Sequence, residues 1–382
     1  MKVEPTPVPA TSLQLQSYLT SDAQLRVRLA TVPVAQPVAE EVVIRVEAAP
    51  INPSDIGAMM GPADISRMRA DGSGDAMQVV IPMPPQAMHA MAARVGQPLP
   101  AGIEGAGVVV AAGSSPKAQA LLGKVVAAST GAMYAQYRIA NVADLLIMKD
   151  GATPVEAASS SINPMTALGM LETMHREGHA GLVHTAAASN LGQMLNRICL
   201  ADGVPLVSIV RSGAQAEILK ELGAEHVLDS NSATFLKDLT AAIGATNATL
   251  CFDVIGGGKL VSQILTAMEV VQVAKLTGYH RYGSSVHKQV YVSGLLDSSP
   301  AALTHTFGVA WGVGGWWLNN FLARIGPEAA GRLRARVTDE LTTNFASHYT
   351  RTISLREALD PAIIAAYYRR ATGEKYLIAP QL

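Results

Sequence analysis

Cysteine is nearly absent: Cys199 and Cys251 are the only two in 382 residues. Two thiols cannot build a disulfide framework, nor the four-thiolate cluster of a structural zinc lobe. Both lie in apolar stretches and read as small core residues. Aromatic residues are also few, at 5%, and all three tryptophans crowd into Trp311-Gly312-Val313-Gly314-Gly315-Trp316-Trp317, where core or interface packing is expected. No window reaches the about 18 uninterrupted apolar residues of a membrane span. The proline-rich start, Met1 to Leu13, lacks the apolar centre of a secretory signal. A cytoplasmic location is therefore the expectation. No sign of charge dominates either: the net charge is −1 and no basic run stands out, so nucleic acid is not an expected partner.

What is present is ample core material, with 49% hydrophobic and 15% charged residues, in a chain long enough for two domains. Glu41 to Ala48 alternates as a strand, with Val42, Ile44 and Val46 on one face. Gly105–Ala112 and Lys124–Ala128 are further short strands, and this first part reads as a mainly β domain. The pattern changes at Thr153-Pro154-Val155-Glu156, a capping box with proline at the first helical position. Asn163-Pro164 opens a longer helix that Gly178 ends. Strands are then expected at Gly181–Ala186, Pro205–Val210, Glu225–Leu228, Ala248–Val254, Val270–Leu276 and Gln289–Val292, with helices at Leu191–Ala201 and Ala214–Leu222. Buried strands alternating with amphipathic helices predict a doubly wound parallel sheet. Pro327–Phe345 reads as helix, Ser354-Leu355-Arg356-Glu357 as another capping box, Asp360-Pro361 as a helix start, and Tyr376–Ile378 as a last strand. Gly61–Pro100 carries weak signals of either kind. With seven of the 15 methionines between Met59 and Met91, it reads as a surface loop or as a methionine-lined cap over a ligand site.

The central signal is Leu182-Val183-His184-Thr185-Ala186-Ala187-Ala188-Ser189-Asn190-Leu191-Gly192. A strand runs into a turn of very small residues and then a helix, which aims free N–H groups at a pyrophosphate. Ala188, Ser189, Asn190 and Leu191 are the expected contacts. Ala186 and Ser189 stand where a dinucleotide turn usually has glycine, and Gly192 remains for close helix–strand contact. The next strand ends in Arg211-Ser212 where an NAD site carries an acid for the ribose 2′-hydroxyl. An arginine there favours a 2′-phosphate, hence NADP(H).

Six segments in order carry a resemblance: Ala49-Pro50-Ile51-Asn52-Pro53-Ser54-Asp55, Gly102-Ile103-Glu104-Gly105-Ala106-Gly107, Asn163-Pro164-Met165-Thr166-Ala167, the Ala-Ser-Asn-Leu-Gly turn, Phe252-Asp253-Val254-Ile255-Gly256-Gly257, and Ala371-Thr372-Gly373-Glu374-Lys375. The chain resembles the medium-chain dehydrogenase/reductase superfamily, in its quinone oxidoreductase and enoyl reductase branches. The resemblance implies an α/β chain made of a GroES-like β-rich catalytic domain, 1–159 with an insertion at 62–100, a Rossmann domain, 160–324, and a return to the first domain over 325–382. It implies NADPH bound in the cleft, and a homodimer joined along the Rossmann sheet edge near Gln289–Leu296. It adds Thr166, Ser212, Asp253, Gly278, Tyr282, Gly294 and Lys375 to the cofactor contacts.

The zinc-dependent members of that superfamily carry Cys and His where this chain has Pro53, Ser54 and Ile103, and His175 and His179 flank Gly178 at a helix end, so no metal is expected. Without a Lewis acid the substrate must itself delocalise the incoming charge, as quinones and α,β-unsaturated carbonyls do. Asn52, Asp55 and Tyr134 are the candidates for positioning substrate and binding a developing oxyanion. An enoyl-thioester reductase is the alternative, although Ala63 stands near the place of that branch's tyrosine; a catalytically weak NADPH-binding protein is a third reading.

Overall fold

The computed structural model describes residues 8–382. It divides into two compact units, one made of residues 8–162 with 338–382 and the other of 163–337. The return to the first unit comes at Thr338, later than the 325 expected from sequence, because one helical run continues through Pro327, which the sequence marks as a helix start. Leu318–Asp339 is helical on both sides of a kink at Gly326, whose φ of 83° precedes Pro327.

The first unit holds two sheets. One is antiparallel, in the order Arg69–Asp71, Gln78–Pro82, Gln24–Pro33, Thr11–Leu19, Pro98–Pro100. The other runs Leu145–Ile147, Val125–Ala128, Gly105–Ala112, Glu41–Pro50, Tyr376–Ile378, Arg351–Ile353, with Tyr137–Asn141 also paired to Glu41–Pro50. The pairing Leu377↔Pro50 fixes the C-terminal tail beside the Asn52 loop.

The segment 61–100 is not a surface loop. It supplies three strands, and Val79, Val80 and Ile81 are fully buried. Met59, Met60 and Met83 join the same core, with Met68, Met77, Met88 and Met91 packed against it. Its strand signal is weak because prolines and glycines punctuate runs of only three to five residues.

The second unit is a parallel sheet in the order His226–Asp229, Leu206–Val210, Leu182–His184, Leu250–Asp253, Lys288–Val292, Trp311–Gly315. The order reverses between Leu182–His184 and Leu250–Asp253, and ligands of such sheets bind at that switch point, beyond the C-terminal ends of the strands. Two sequence expectations fail here. Val270–Leu276 is not a strand: Val270 to Val273 end the helix Leu260–Val273, whose buried Val261, Ile264, Leu265, Met268 and Val271 repeat at helical spacing. The β-branched run at its end imitates a strand. Conversely, Trp311–Gly315 is a strand despite three glycines, and it forms the sheet edge in place of Gln289–Leu296.

Candidate active site

In the first unit, Asn52 opens the helix Pro53–Met60 with a capping box, its backbone N–H donating to Asp55 Oδ2 at 2.9 Å. Asp55 Oδ1 accepts from Ile103 N–H at 2.7 Å. Asn52 Nδ2 donates to Glu104 Oε1 at 2.8 Å, while Glu104 Oε2 accepts the backbone N–H groups of Ser161 and Ile162 at 3.0 and 2.9 Å. Asn52, Asp55 and Glu104 are all buried, at 5%, 2% and 0% exposure. Burial pushes the Asp55 carboxyl up to about 7 and also raises Glu104. Lys375 lies among them. Its ammonium donates to Ser159 Oγ at 2.8 Å and sits 5.5 Å from the centre of the Tyr349 ring. Burial lowers it to about 8, against the opposing pull of Glu104 and Asp55.

Tyr134 is fully buried and its hydroxyl donates to the Pro50 carbonyl at 2.9 Å. That bond engages the proton that an oxyanion would need. Glu104, Ser159 and Tyr349 were not singled out from sequence. The Gly-Glu-Gly turn pointed at Glu104, but nothing local marks Ser159 or Tyr349, which meet Lys375 across 216 and 26 positions of chain respectively (375 − 159; 375 − 349).

In the second unit, Ser189 caps the helix Asn190–Asp202, its hydroxyl accepting from Gly192 N–H. Ala186 adopts a left-handed φ of 50°, the conformation glycine takes at no cost, so alanine here carries local strain. A Cβ on Gly192 would stand 2.2 Å from the Ala187 carbonyl oxygen, which explains why this glycine remains. Asp253 is buried and holds the following turn: Oδ1 accepts from Thr185 Oγ1 at 2.7 Å and Oδ2 from Gly256 N–H at 2.9 Å. Gly294 packs against Val254 at the same sheet end. Nearby the Ser293 hydroxyl is buried with no hydrogen-bond partner among the described residues. Arg211 is exposed, and no salt bridge engages its guanidinium among the described residues. Ser212 caps the helix Gly213–Glu221. Thr166 lies in the first turn of Asn163–Glu177.

Gly278 and Tyr282 do not join this group. They follow the end of Leu260–Val273, a helix that runs back from Leu250–Asp253, and precede Lys288–Val292. They therefore lie at the opposite end of the sheet from the Ala186–Asn190 turn. A cleft of about 490 Å³ lined by Glu177, His179, Thr249, His287, Gln289 and Tyr291 lies at that far end too.

A protein from Mesorhizobium loti assigned as an NADPH:quinone reductase superposes with a TM-score of 0.72 at 24% identity, over 98% of this chain and 100% of that one. The chain has the medium-chain dehydrogenase/reductase fold. Curated relatives point toward the same fold. The mitochondrial enoyl-[acyl-carrier-protein] reductase of Arabidopsis thaliana is 28% identical over 239 residues, 60% of this chain and 56% of that protein. The synaptic vesicle membrane protein VAT-1 homolog of Rattus norvegicus is 28% identical over 162 residues, 42% of this chain and 40% of that protein. The chain thus spans about half the length of these curated relatives. No protein-family profile matches the chain. Within the medium-chain fold, the turn, Arg211 and the Asn52–Glu104–Lys375 cluster are the chemically equipped places.

Proposed function

We propose that the protein is an NADPH-dependent oxidoreductase that transfers hydride to a quinone or an α,β-unsaturated carbonyl without a metal. The observation that carries the reading is Arg211. A guanidinium with no ion pair among the described residues follows the strand next to the small-residue turn, where a ribose 2′-phosphate would neutralise it. The N–H groups of the Ala188–Leu191 turn would hold the pyrophosphate, and the orphan Ser293 hydroxyl offers a hydrogen bond at the same sheet end. Asp253 and Gly294 shape that end, while Thr166 and Lys375 belong to the proposed cofactor contacts through the resemblance. Gly278 and Tyr282 drop out of the set. NADPH would supply the hydride; the chain's own part is to orient the acceptor and to stabilise charge arriving on its oxygen.

The names of the relatives support the class: the Mesorhizobium loti protein is an NADPH:quinone reductase by assignment, and the Arabidopsis thaliana protein an enoyl-[acyl-carrier-protein] reductase. The latter match, together with Asn163–Ala167, favours an enoyl thioester as a second reading of the substrate. A metal-free mechanism follows from the donor set, since Pro53, Ser54 and Ile103 offer no thiolate or imidazole. No helix among the described residues is long and apolar enough to cross a membrane. A cytoplasmic homodimer, paired along the Trp311–Gly315 edge, completes the proposal.

The test is NADPH oxidation by the purified chain against quinones, simple enones, enoyl-CoAs and ketones, with a metal chelator present throughout. Chelator-resistant turnover of quinones or unsaturated carbonyls, but not ketones, is expected. NADPH oxidation that no acceptor accelerates would overturn the reading.

A further inference from the structure

The geometry points to Lys375 as the proton donor of the reduction, recharged through Ser159 and Tyr349. This rests on the proposed reductase function and names the group it leaves open.

Three side chains form a continuous hydrogen-bonded line within the first unit: Lys375 Nζ to Ser159 Oγ at 2.8 Å, and Ser159 Oγ to Tyr349 OH at 2.8 Å. The Tyr349 ring also faces the ammonium, at 5.5 Å. An ammonium has three N–H donors. Among the described residues one of them meets an acceptor, Ser159 Oγ, so two are left for a ligand oxygen or carbon. A largely desolvated ammonium with spare donors is costly unless something else receives them. The chain's C-terminal return makes this arrangement: Tyr376–Ile378 pairs with Ile353 and Pro50 neighbours, which sets Lys375 beside the buried Asn52, Asp55 and Glu104. Those two carboxyls supply the electrostatic field that keeps the ammonium charged, and burial opposes them. The outcome is an amine that is mostly protonated at neutral pH yet able to release its proton, the range in which a general acid works best.

Reduction of an enone adds hydride and its electron pair at the β-carbon. The former C=C pair then resides on the substrate as an enolate. In the proposed step an N–H bond of Lys375 breaks, a C–H bond forms at the α-carbon, and neutral Lys375 remains. The Ser159 hydroxyl then passes a proton to Lys375 and takes one from Tyr349, which is mostly buried but keeps an edge exposed from which it refills from water. A quinone needs no such donor, because its reduced form carries charge on oxygen and exchanges protons with water directly.

The experiment compares an enone and a quinone in wild type, Lys375→Arg and Tyr349→Phe. Arginine keeps the positive charge beside Glu104 but does not release a proton. The enone kcat should fall about 100-fold in Lys375→Arg, and at least tenfold more than the quinone kcat. Tyr349→Phe should lower the enone kcat less and leave the KM for NADPH near wild type. In the cofactor-free full-length protein, the ¹³C-methylated Lys375 signal, identified by its loss in Lys375→Arg, should titrate near 8. Equal loss on both acceptors, or a raised KM for NADPH with unchanged enone kcat, would leave Lys375 with a structural or cofactor-binding role only and overturn the proposal. So would titration at the ordinary value of 10.5. Failure of the wild type to reduce either acceptor sinks the reductase reading itself, and is distinguishable because the variants then have nothing to lose.

Discussion

The two units bury charge in opposite ways. In the second, Lys288 and Glu269 form a direct pair at 2.5 Å with side chains 0% and 7% exposed; Lys288 also donates to Val286 O and Glu269 accepts from Ser284 N–H. In the first, Asp55, Glu104 and Lys375 are gathered without one direct salt bridge among the three, and each is displaced from its ordinary ionisation range. The paired ions fix a loop: Gly283 and Gly308 lie so close to Glu269 that a Cβ on either would collide with its carboxylate. The unpaired group is poised instead, because each member can change protonation without breaking a salt bridge. Perturbed, incompletely paired titratable groups mark functional sites more than stabilising ones.

The largest effect should come from breaking the pair. Lys288→Met leaves Glu269 charged and buried, and should cost about 3–5 kcal/mol in chemical denaturation. Adding Glu269→Gln, which keeps an acceptor for Ser284 N–H, should recover part of that loss. A cost under about 1 kcal/mol for the single variant would place the pair among weak surface bridges and erase the contrast.

The unpaired group should show itself through pH. Asp55 in the folded state holds its proton up to about 7, against 3.8 when unfolded. Its folded pKa is raised, so its contribution is complete below about 4 and is lost as pH rises through about 7. At about 1.4 kcal/mol per pKa unit, about 4 kcal/mol is the upper bound on that loss. The slope of unfolding free energy between pH 4 and 7 should flatten in Asp55→Asn. A slope unchanged by the substitution would mean that Asp55 is ionised and accommodated throughout.

The same contrast explains what the sequence made legible. Local signals sufficed for the nucleotide turn, since Leu182 to Gly192 writes strand, turn and cap in eleven successive residues (192 − 182 + 1). The βα alternation was readable for the same reason. The mistakes fell where local and tertiary preferences diverge: Val270–Val273 is β-branched yet helical, and Trp311–Gly315 is glycine-rich yet a strand, because packing overrides propensity in both. The hairpin Thr11–Leu19 with Gln24–Pro33 carries no clear turn signature, and the methionine-rich segment does not look like strand locally because its strands gain their stability from partners far away in sequence. The Asn52 loop was visible by resemblance. The Lys375–Ser159–Tyr349 line was not, since three distant segments meet only in the fold.

Arg211 sharpens the comparison from the other side, as an exposed cation in the unit whose buried cation is paired. A surface charge with no ion pair contributes little to stability, so removing it should leave unfolding almost untouched. Its effect should appear in binding. Charge-assisted hydrogen bonds to a 2′-phosphate are worth about 1.5–3 kcal/mol. Arg211→Ala should therefore weaken NADPH roughly ten- to a hundredfold in a fluorescence titration, with NADH, which lacks that phosphate, changed far less. The backbone of Arg211 keeps its own bonds, N–H to Gln215 Oε1 and carbonyl from Asn231 Nδ2, so the substitution removes the guanidinium without disturbing the strand end. Equal weakening of both dinucleotides would assign Arg211 to the turn's shape rather than to phosphate recognition, and would remove the main reason for preferring NADPH.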